Sequence, residues 1–317
     1  TCNDTEALNT AIFGLFGPGD HVITTVCEHN SVLRPLYALE KQGLELSVIP
    51  ADVSGRIDYD QMEAAVRKNT KAFVVTHASN LTGNITDLAR VCEIAEHHSL
   101  LLIVDAAQTA GILPINVQKS GIDVLCFSGH KGLLGPSGIG ALLMTEDFSR
   151  ALSPIVAGGT GSASDSEYLP PYLPDRFEPG TPNMPGIYGW EAALRFVEET
   201  GVDALRSHEL VLCRRFLSGL ESIPGAVLCG TKDLSRRVGV FSIDFPGLDN
   251  AEAAFRLESE FGILTRCGLH CAPAAHKTLG TFPRGTVRFS FGFSNTEADV
   301  DAALAAIQRL CPQPGGG

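Results

Sequence analysis

Hydrophobic and polar positions follow two alternating patterns along the first 145 residues. Six short runs rich in Val, Ile and Leu have the length of β-strands, and amphipathic stretches separate them. The predicted strands are His21–Val26, Glu45–Ile49, Ala72–Thr76, Leu100–Val104, Val124–Phe127 and Ile139–Met144. Strands that alternate with helices form βαβ units, so the pattern predicts an α/β fold with a mostly parallel sheet covered by helices on both faces.

The pattern after residue 145 predicts a second, smaller unit behind a long irregular segment. That segment contains Gly158–Ser162 and the proline-rich Tyr168–Pro185, and loops of this length usually serve a function. The elements predicted next are helices near Gly186–Glu199 and Asp203–Leu220, strands at Val238–Ile243 and Thr286–Phe291, and a closing helix near Glu297–Leu310. Because 317 residues exceed what one core usually serves, we expect a large domain over 1–199 and a small α+β domain over 200–317.

Composition narrows the class of protein. With 44% hydrophobic and 19% charged residues, the chain is typical of an α/β enzyme and unlike a disordered chain or a coiled coil. A net charge of −12 without a basic cluster argues against nucleic acid or an anionic membrane as a partner. Nine scattered cysteines without a C-x-x-C motif argue against a disulfide framework and favour a reducing, cytoplasmic location.

The beginning of the chain is unusual. It opens at Thr1 without Met, and residues 6–12 already have a helical pattern. The charged segment and the cleavage site of a signal peptide are both missing. We therefore expect that an N-terminal segment of the natural protein is missing before Thr1.

Polar side chains follow four of the predicted strands. The first strand runs into Glu-His-Asn-Ser (28–31), the third into His-Ala-Ser-Asn (77–80), the fourth into Asp-Ala-Ala-Gln (105–108) and the fifth into Ser-Gly-His-Lys-Gly (128–132). Packing alone does not require polar residues there. Because ligands of open α/β sheets bind beyond the carboxyl ends of the strands, these residues predict the functional site.

Lys131 and Asp105 are the sharpest candidates for chemistry. A lysine beside Ser128 and His130 suits a Schiff base next to a phosphate, although the tetrapeptide alone is more typical of a surface lysine. An aspartate that closes an apolar strand needs a cation, such as the protonated pyridine nitrogen of pyridoxal 5′-phosphate (PLP); otherwise it only caps a helix. Thr5, just before a helix, suits a phosphate or is simply a capping residue.

These motifs occur in the order and spacing of one family. The chain resembles the class V, fold type I PLP enzymes, and within them the cysteine desulfurases and selenocysteine lyases. The resemblance covers essentially the whole chain and depends on the segments 3–9, 28–29, 79–80, 105–108, 128–131, 176–183, 266–272, 288 and 294–296. It implies a large domain with a mostly parallel sheet between helices and a smaller C-terminal α+β domain.

The resemblance also implies roles around the PLP ring. Lys131 would form the Schiff base, and Asp105 would pair with the pyridinium nitrogen. His29 would stack on the ring and take part in proton transfer. Gln108 and Asn80 would contact the phenolate oxygen and the ring edge.

The same resemblance places the phosphate of PLP between two subunits. Thr5, Ser128 and His130 would hold it, joined by Thr181 from a neighbouring subunit, which implies a homodimer. Asp4 stands where the family commonly has a small or hydroxylated residue. Its carboxylate is therefore expected beside the phosphate, where it weakens binding unless the side chain points away.

Cys271 decides which reaction the resemblance implies. A desulfurase needs a thiolate that attacks the substrate sulfur, while Arg288 would bind the substrate carboxylate and Arg266 would assist. Arg266 and His270 are expected to lower the pKa of the thiol, because nearby cations favour the thiolate. The alternatives are an inert buried cysteine and, more remotely, a zinc site with Cys267 and His270, which lacks a fourth ligand.

Three functions follow from these observations. The first is a PLP-dependent cysteine desulfurase that converts L-cysteine to L-alanine and passes the sulfur through an enzyme persulfide to an acceptor. The second is a selenocysteine lyase, aminotransferase or epimerase of the same class. The third is a non-catalytic fragment, because the family normally has several tens of residues before its phosphate-binding threonine.

Overall fold

The computed structural model describes residues 1–311, so the low-complexity Gly315–Gly317 lies outside the described residues. The first part of the chain alternates helices and strands as the pattern predicts. Its elements are α1 (Asp4–Leu15), β1 (His21–Thr25), α2 (Asn30–Glu40), β2 (Glu45–Ile49), α3 (Tyr59–Ala64), β3 (Thr70–Thr76), α4 (Leu88–His97), β4 (Leu101–Asp105), β5 (Val124–Ser128), β6 (Gly140–Met144) and α5 (Glu146–Ala151).

The six strands of this part form one sheet in the order β2-β1-β3-β4-β5-β6. All neighbouring strands are parallel except β6, which runs antiparallel to β5. Residues 129–139 join these last two strands and hold no helix, whereas a parallel partner needs a longer crossover connection. The mostly parallel α/β sheet that the pattern predicts is confirmed.

Both faces of this sheet are buried. Successive side chains of a strand point to opposite faces, so Val22 and Ile23 of β1 enter different cores. Val22 packs with Ala7, Leu8, Ala11 and Ile12 of α1. Ile23 packs with Val91 and Ile94 of α4. Burial on both faces explains why the strands are almost continuously hydrophobic.

The second part of the chain forms an antiparallel sheet in the order β7-β8-β10-β9. Its core joins Phe216, Phe241 and Phe289 with residues of the closing helix. The α+β character is therefore confirmed, whereas the boundary at 199/200 stays a prediction. The elements are α6 (Met184–Thr200), α7 (Val202–Leu220), β7 (Val227–Cys229), β8 (Val240–Asp244), α8 (Asn250–Phe261), β9 (Arg266–Gly268), α9 (Pro273–Thr278), β10 (Thr286–Ser290) and α10 (Glu297–Leu310).

Two findings on the helices concern the exposure of α6 and the ability to cross a membrane. Of the 17 residues of α6, only Gly186 and Val197 are buried. Within residues 1–311, no helix combines the length and the apolar character needed to cross a membrane.

Candidate active site

The predicted site residues gather where the two sheets meet. Because β3, β4 and β5 are parallel neighbours, the residues at and after their carboxyl ends lie at one edge of the first sheet. One cavity of about 360 Å³ is lined by Gln108, Lys131 and Arg288. A second cavity of about 410 Å³ is lined by Thr5, His29 and Cys271.

Asp105 ends β4 as a buried carboxylate with 3% of its surface exposed. Its Oδ1 accepts a hydrogen bond from the N–H of Ala107 at 2.8 Å. Burial raises the pKa of Asp105, and the hydrogen bond and the charge of Lys131 act against that rise. Turns rather than an α-helix follow β4, so the alternative that Asp105 only caps a helix is wrong.

Asp4 faces Asp105 instead of the solvent. It is the first residue of α1, whose N-cap is Asn3, and it is 7% exposed. Its carboxyl group is in hydrogen-bond contact with that of Asp105, and its backbone N–H donates to Ser128 Oγ at 3.3 Å. Burial first, and then the negative charge of Asp105, raise the pKa of Asp4 well above its ordinary value.

The sequence left open whether the side chain of Asp4 points away from the phosphate site. In the structure it is directed inward against Asp105. The reason is the docking of α1 on β4, β5 and β6, which turns this first-turn residue inward.

His29, Ser31 and Thr5 form a hydrogen-bonded chain at the start of α2. The Nδ1 atom of His29 accepts from the N–H of Ser31 at 3.1 Å and lies 2.7 Å from Ser31 Oγ, which lies 2.8 Å from Thr5 Oγ1. Because Nδ1 accepts from an N–H, the ring proton of neutral His29 is on Nε2. Burial first, and then Lys131 and nearby arginines, lower the pKa of His29 to about 4, so the ring is neutral at pH 7.

Cys271 lies on a short, strained loop. Only residues 269–272 separate β9 from α9, so the loop is compact. His270 and Cys271 have φ angles of 48° and 58°, a left-handed conformation that non-glycine residues seldom adopt. Asn80 Nδ2 donates to the carbonyl of His270 at 2.7 Å, and the N–H of Asn30 donates to the carbonyl of Cys271 at 2.7 Å. Contacts from the first sheet's loops thus hold the strained pair in place.

The surroundings of the Cys271 sulfur correct one expectation. Arg266 approaches Sγ to 3.9 Å. His270 instead directs Nε2 to the carbonyl of Thr286 at 3.0 Å, and burial, followed by the charge of Arg288, lowers its pKa to about 3. A neutral His270 cannot promote the thiolate of Cys271 as a cation, so that part of the prediction is wrong.

The zinc alternative also receives no support. Across residues 1–311, the one group of side chains with metal-like spacing is Glu63, His97 and His98, and Arg90 already donates to Glu63 at 2.9 Å. Cys271 is not part of that group.

Arg288 on β10 and Arg266 on β9 are directly paired across the second sheet. Arg288 donates from Nη1 to the carbonyl of Asn80 at 2.9 Å, and its buried Nε has no partner. Burial first, and then the charge of Arg266, lower the pKa of Arg288. An unpaired donor on Arg288, with a second cation beside it, favours the binding of an anion. The buried Oδ1 of Asn80 likewise has no partner.

The remaining candidates differ in exposure. Ser128 is buried, Gln108 is half-buried, and His130 and Lys131 are exposed. Thr181 is exposed on the irregular segment and lines neither of these two cavities. The structure therefore brings the candidate residues together except Thr181, whose predicted role needs a partner subunit.

Sequence reasoning placed Glu28 and Ser31 after a predicted strand but gave neither of them a role. Ser31 connects Thr5 to His29, and its signal is a hydroxyl two residues after His29 at a helix start. Glu28 is fully buried, accepts from Thr25 Oγ1 at 2.6 Å, and has its pKa raised well above the ordinary value by burial. A glutamate buried as a neutral acid has no sequence signal of its own.

Comparisons with known proteins agree with this geometry. The family model "Aminotransferase class-V" matches residues 1–303. A probable cysteine desulfurase of Pyrococcus abyssi is 35% identical over an aligned length of 317 residues. The alignment covers 98% of this chain and 78% of the relative.

Two solved structures of cysteine desulfurases are also similar. The apo enzyme from Thermococcus onnurineus NA1 has a TM-score of 0.91 at 36% identity, covering 98% of this chain and 78% of that one. CsdA from Escherichia coli, in an S-sulfonic acid form, has a TM-score of 0.88 at 30% identity, covering 98% and 77%. The chain therefore belongs to the class-V aminotransferase family, and the relatives named here are cysteine desulfurases.

Proposed function

We propose that this protein is a PLP-dependent cysteine desulfurase that converts L-cysteine to L-alanine and keeps the sulfur as a persulfide on Cys271. The observation that carries the proposal is the placement of Cys271. Its strained loop shares a cavity with His29 and Thr5, and Arg266 lies beside its sulfur. Backbone strain persists where surrounding contacts enforce it, and such positions concentrate at active sites.

The residues present fit PLP. Asp105 is a buried carboxylate in need of a cationic partner, and Lys131 is near enough for its charge to oppose the raised pKa of Asp105. The hydroxyls of Thr5 and Ser128 lie at the N-terminus of α1, where amides favour a phosphate, and His130 follows β5. When bound, PLP withdraws electrons from the α-carbon of an amino acid.

The substrate would be bound by its carboxylate. Arg288, with its unpartnered Nε, and Arg266 are the cations for this contact. Charged hydrogen bonds of this kind contribute about 1.5–3 kcal/mol each. Nε2 of His29 is the atom suited to hold or move a proton above the substrate, because Nδ1 is already occupied by Ser31.

The sulfur transfer balances without an added oxidant. The thiolate of Cys271 forms an S–S bond with the sulfur of L-cysteine, and the C–S bond of the substrate breaks. The electron pair of that bond stays on the substrate carbon, which takes a proton and becomes the methyl group of alanine. An aminotransferase needs no such thiol, so Cys271 favours desulfuration within the family. Selenocysteine contains the heavier chalcogen at the same position and is the alternative substrate.

A homodimer is part of the proposal. Within residues 1–311, ten of the twenty-one exposed large hydrophobic residues lie in 155–196, the segment that contains Thr181. Tyr188 on α6 is 68% exposed, and almost all of that helix lacks contacts that bury it. A large exposed apolar surface is typical of a protein interface, and a second copy would cover it while bringing Thr181 to the phosphate.

The test is alanine formation from L-cysteine by the PLP-loaded protein in the presence of a small thiol. We expect the wild-type protein and Cys267→Ala to form alanine at similar rates, and Cys271→Ala to lose this activity while it keeps bound PLP. Cys267 is the matched control because it lies on β9, four residues away, with a pKa raised by burial. Alanine formation at the wild-type rate in Cys271→Ala would contradict the persulfide on Cys271. Only membership of the class-V family would then stand.

A further inference from the structure

Two carboxyl groups touch each other beneath the proposed cofactor site. Asp4 is 7% exposed and Asp105 is 3% exposed. The backbone N–H of Asp4 donates to Ser128 on β5, and Asp105 pairs with Cys126 of the same strand, so the two carboxyl groups lie close enough to share a hydrogen bond. Two buried carboxylates cannot both be ionised at this distance without a large cost, so one of them must carry a proton. Oδ1 of Asp4 is buried and has no partner that donates to it, whereas Asp105 already accepts from Ala107.

We propose that Asp4 is a positioning residue of the cofactor site, which as a neutral acid donates a hydrogen bond to the carboxylate of Asp105. The proton belongs on Asp4 because Asp105 has the stronger reasons to be ionised. Asp105 has the backbone N–H of Ala107 as a donor, and Asp4 has no such donor at its carboxyl group. The pair then holds a single negative charge.

The elements packed against Asp4 support a neutral acid. From β4 the facing group is Asp105, and from the loop after β5 it is Lys131, whose charge only partly offsets the burial. The thiol of Cys126 on β5 is buried and has a raised pKa, so it is also neutral. The strand β6 has no ionisable side chain. On α2 the ionisable residues are exposed, namely Arg34, Tyr37 and Glu40.

The consequence for the site rests on the proposed function. A hydrogen bond from Asp4 lowers the pKa of Asp105 and so acts against the effect of burial. A less basic Asp105 leaves the shared proton on the ring nitrogen of PLP, which keeps that nitrogen cationic. The carboxyl pair carries one negative charge and the ring nitrogen one positive charge, so the net charge of these buried groups is zero.

Two other roles for Asp4 predict different effects of the Asp4→Asn substitution. An ionised Asp4 in the first turn would stabilise α1 through the helix dipole, and Asp4→Asn would then destabilise the protein. An ionised Asp4 near the phosphate would repel it, and Asp4→Asn would then bind PLP more tightly. Glu6 provides a matched control for the first role, because it is another first-turn acid of α1 and its pKa is lowered.

The first experiment measures the melting temperature of the PLP-free protein between pH 5 and pH 9. Folded Asp4 binds its proton more tightly than unfolded Asp4, so its contribution to stability is greatest below the ordinary carboxyl range and falls as the pH rises through the raised pKa. Asp4→Asn has no proton to lose. The melting temperature of this variant should therefore rise relative to that of the wild type as the pH rises. Glu6→Gln should show no such gain. A constant loss of stability in Asp4→Asn at every pH would overturn the proposal.

The second experiment measures PLP binding by the same full-length variants. Asp4→Asn keeps an N–H donor toward Asp105 and should bind PLP as the wild type does. Asp4→Ala should weaken binding about ten-fold, the effect of one hydrogen bond to a charged group. Equal weakening in both variants, or tighter binding by Asp4→Asn, would overturn the proposal. If the wild type binds no PLP, the proposed function fails, whereas the melting experiment still tests the proton on Asp4.

Discussion

At the scale of single residues, Asp105 connects the fold to the chemistry. It is buried, it ends a central strand, and burial raises its pKa. Such a group lowers stability unless a cation meets it, so its value to the protein is expected in catalysis.

We predict that Asp105→Ala lowers alanine formation by about 100-fold or more while the melting temperature changes little. The ring nitrogen of bound PLP would lose its ionic partner, and the folded protein would lose a costly buried charge. Asp123→Asn is the control, because Asp123 accepts from the N–H of Leu102 at 2.8 Å and lines neither active-site cavity. Near-normal turnover in Asp105→Ala would mean that this carboxylate has no catalytic role.

Residue types were predictable from the sequence, whereas side-chain directions were not. Asp105, Ser128 and Lys131 were found because polar residues after buried strands have few structural explanations. The inward direction of Asp4 depends on how α1 docks on three strands, and the direction of His270 depends on Thr286 of β10. These contacts join residues that are far apart in the chain, so no local pattern contains them.

At the scale of elements, the loop between β9 and α9 controls the position of the thiol. Its left-handed residues are held from outside by Asn80 and by the N–H of Asn30. A loop this short keeps a persulfide near the site, so a sulfur acceptor would have to come to it.

We predict that Asn80→Ala loosens this loop and speeds amide hydrogen exchange in residues 269–272. The lost hydrogen bond contributes about 1 kcal/mol and opposes the strain at His270. Asn84→Ala is the matched control, because Asn84 donates instead to the carbonyl of Ser54 at 2.7 Å. Unchanged exchange in Asn80→Ala would show that the loop keeps its shape without this contact.

The sequence pattern located long elements better than short ones. The first five strands of the large sheet differ from their predicted ranges by at most a few residues, because each is a buried hydrophobic run. The strands β7 and β9 were missed, since three residues are too few for a periodic pattern. The hydrophobic pattern also could not predict that β6 runs antiparallel to β5. That direction follows from the short connection between the two strands and not from hydrophobicity.

At the scale of the whole molecule, the exposed apolar surface of residues 155–196 is the main feature that a single chain does not explain. A helix with only two buried residues gains little stability from its own chain. Contact with a second copy would supply the missing burial and complete the phosphate site with Thr181.

We predict a homodimer in sedimentation equilibrium, and a shift toward monomer with weaker PLP binding in Tyr188→Glu. A charge at this 68% exposed position of α6 would be buried without a partner in the dimer. Tyr37→Glu is the control, since Tyr37 is also exposed, at 39%, but lies on α2. A monomeric wild-type protein with full PLP occupancy would contradict the prediction.

The covalent attachment of PLP has its own measurement. Borohydride reduction of the PLP-loaded protein followed by peptide mapping should place the pyridoxyl label on Lys131, which lies near Asp105 and lines the cavity of about 360 Å³. A label on another lysine would mean that the cofactor site has been assigned to the wrong strand end.

The central claim is that the sulfur of L-cysteine moves to Cys271, and a single-turnover reaction tests it most directly. The PLP-loaded protein is mixed with one equivalent of L-cysteine without added thiol, and its peptides are then analysed by mass spectrometry alongside the alanine formed. We expect the peptide with Cys271 to gain the mass of one sulfur atom and alanine to appear in equal amount. Alanine without added sulfur on Cys271, or sulfur on Cys267 instead, would contradict it.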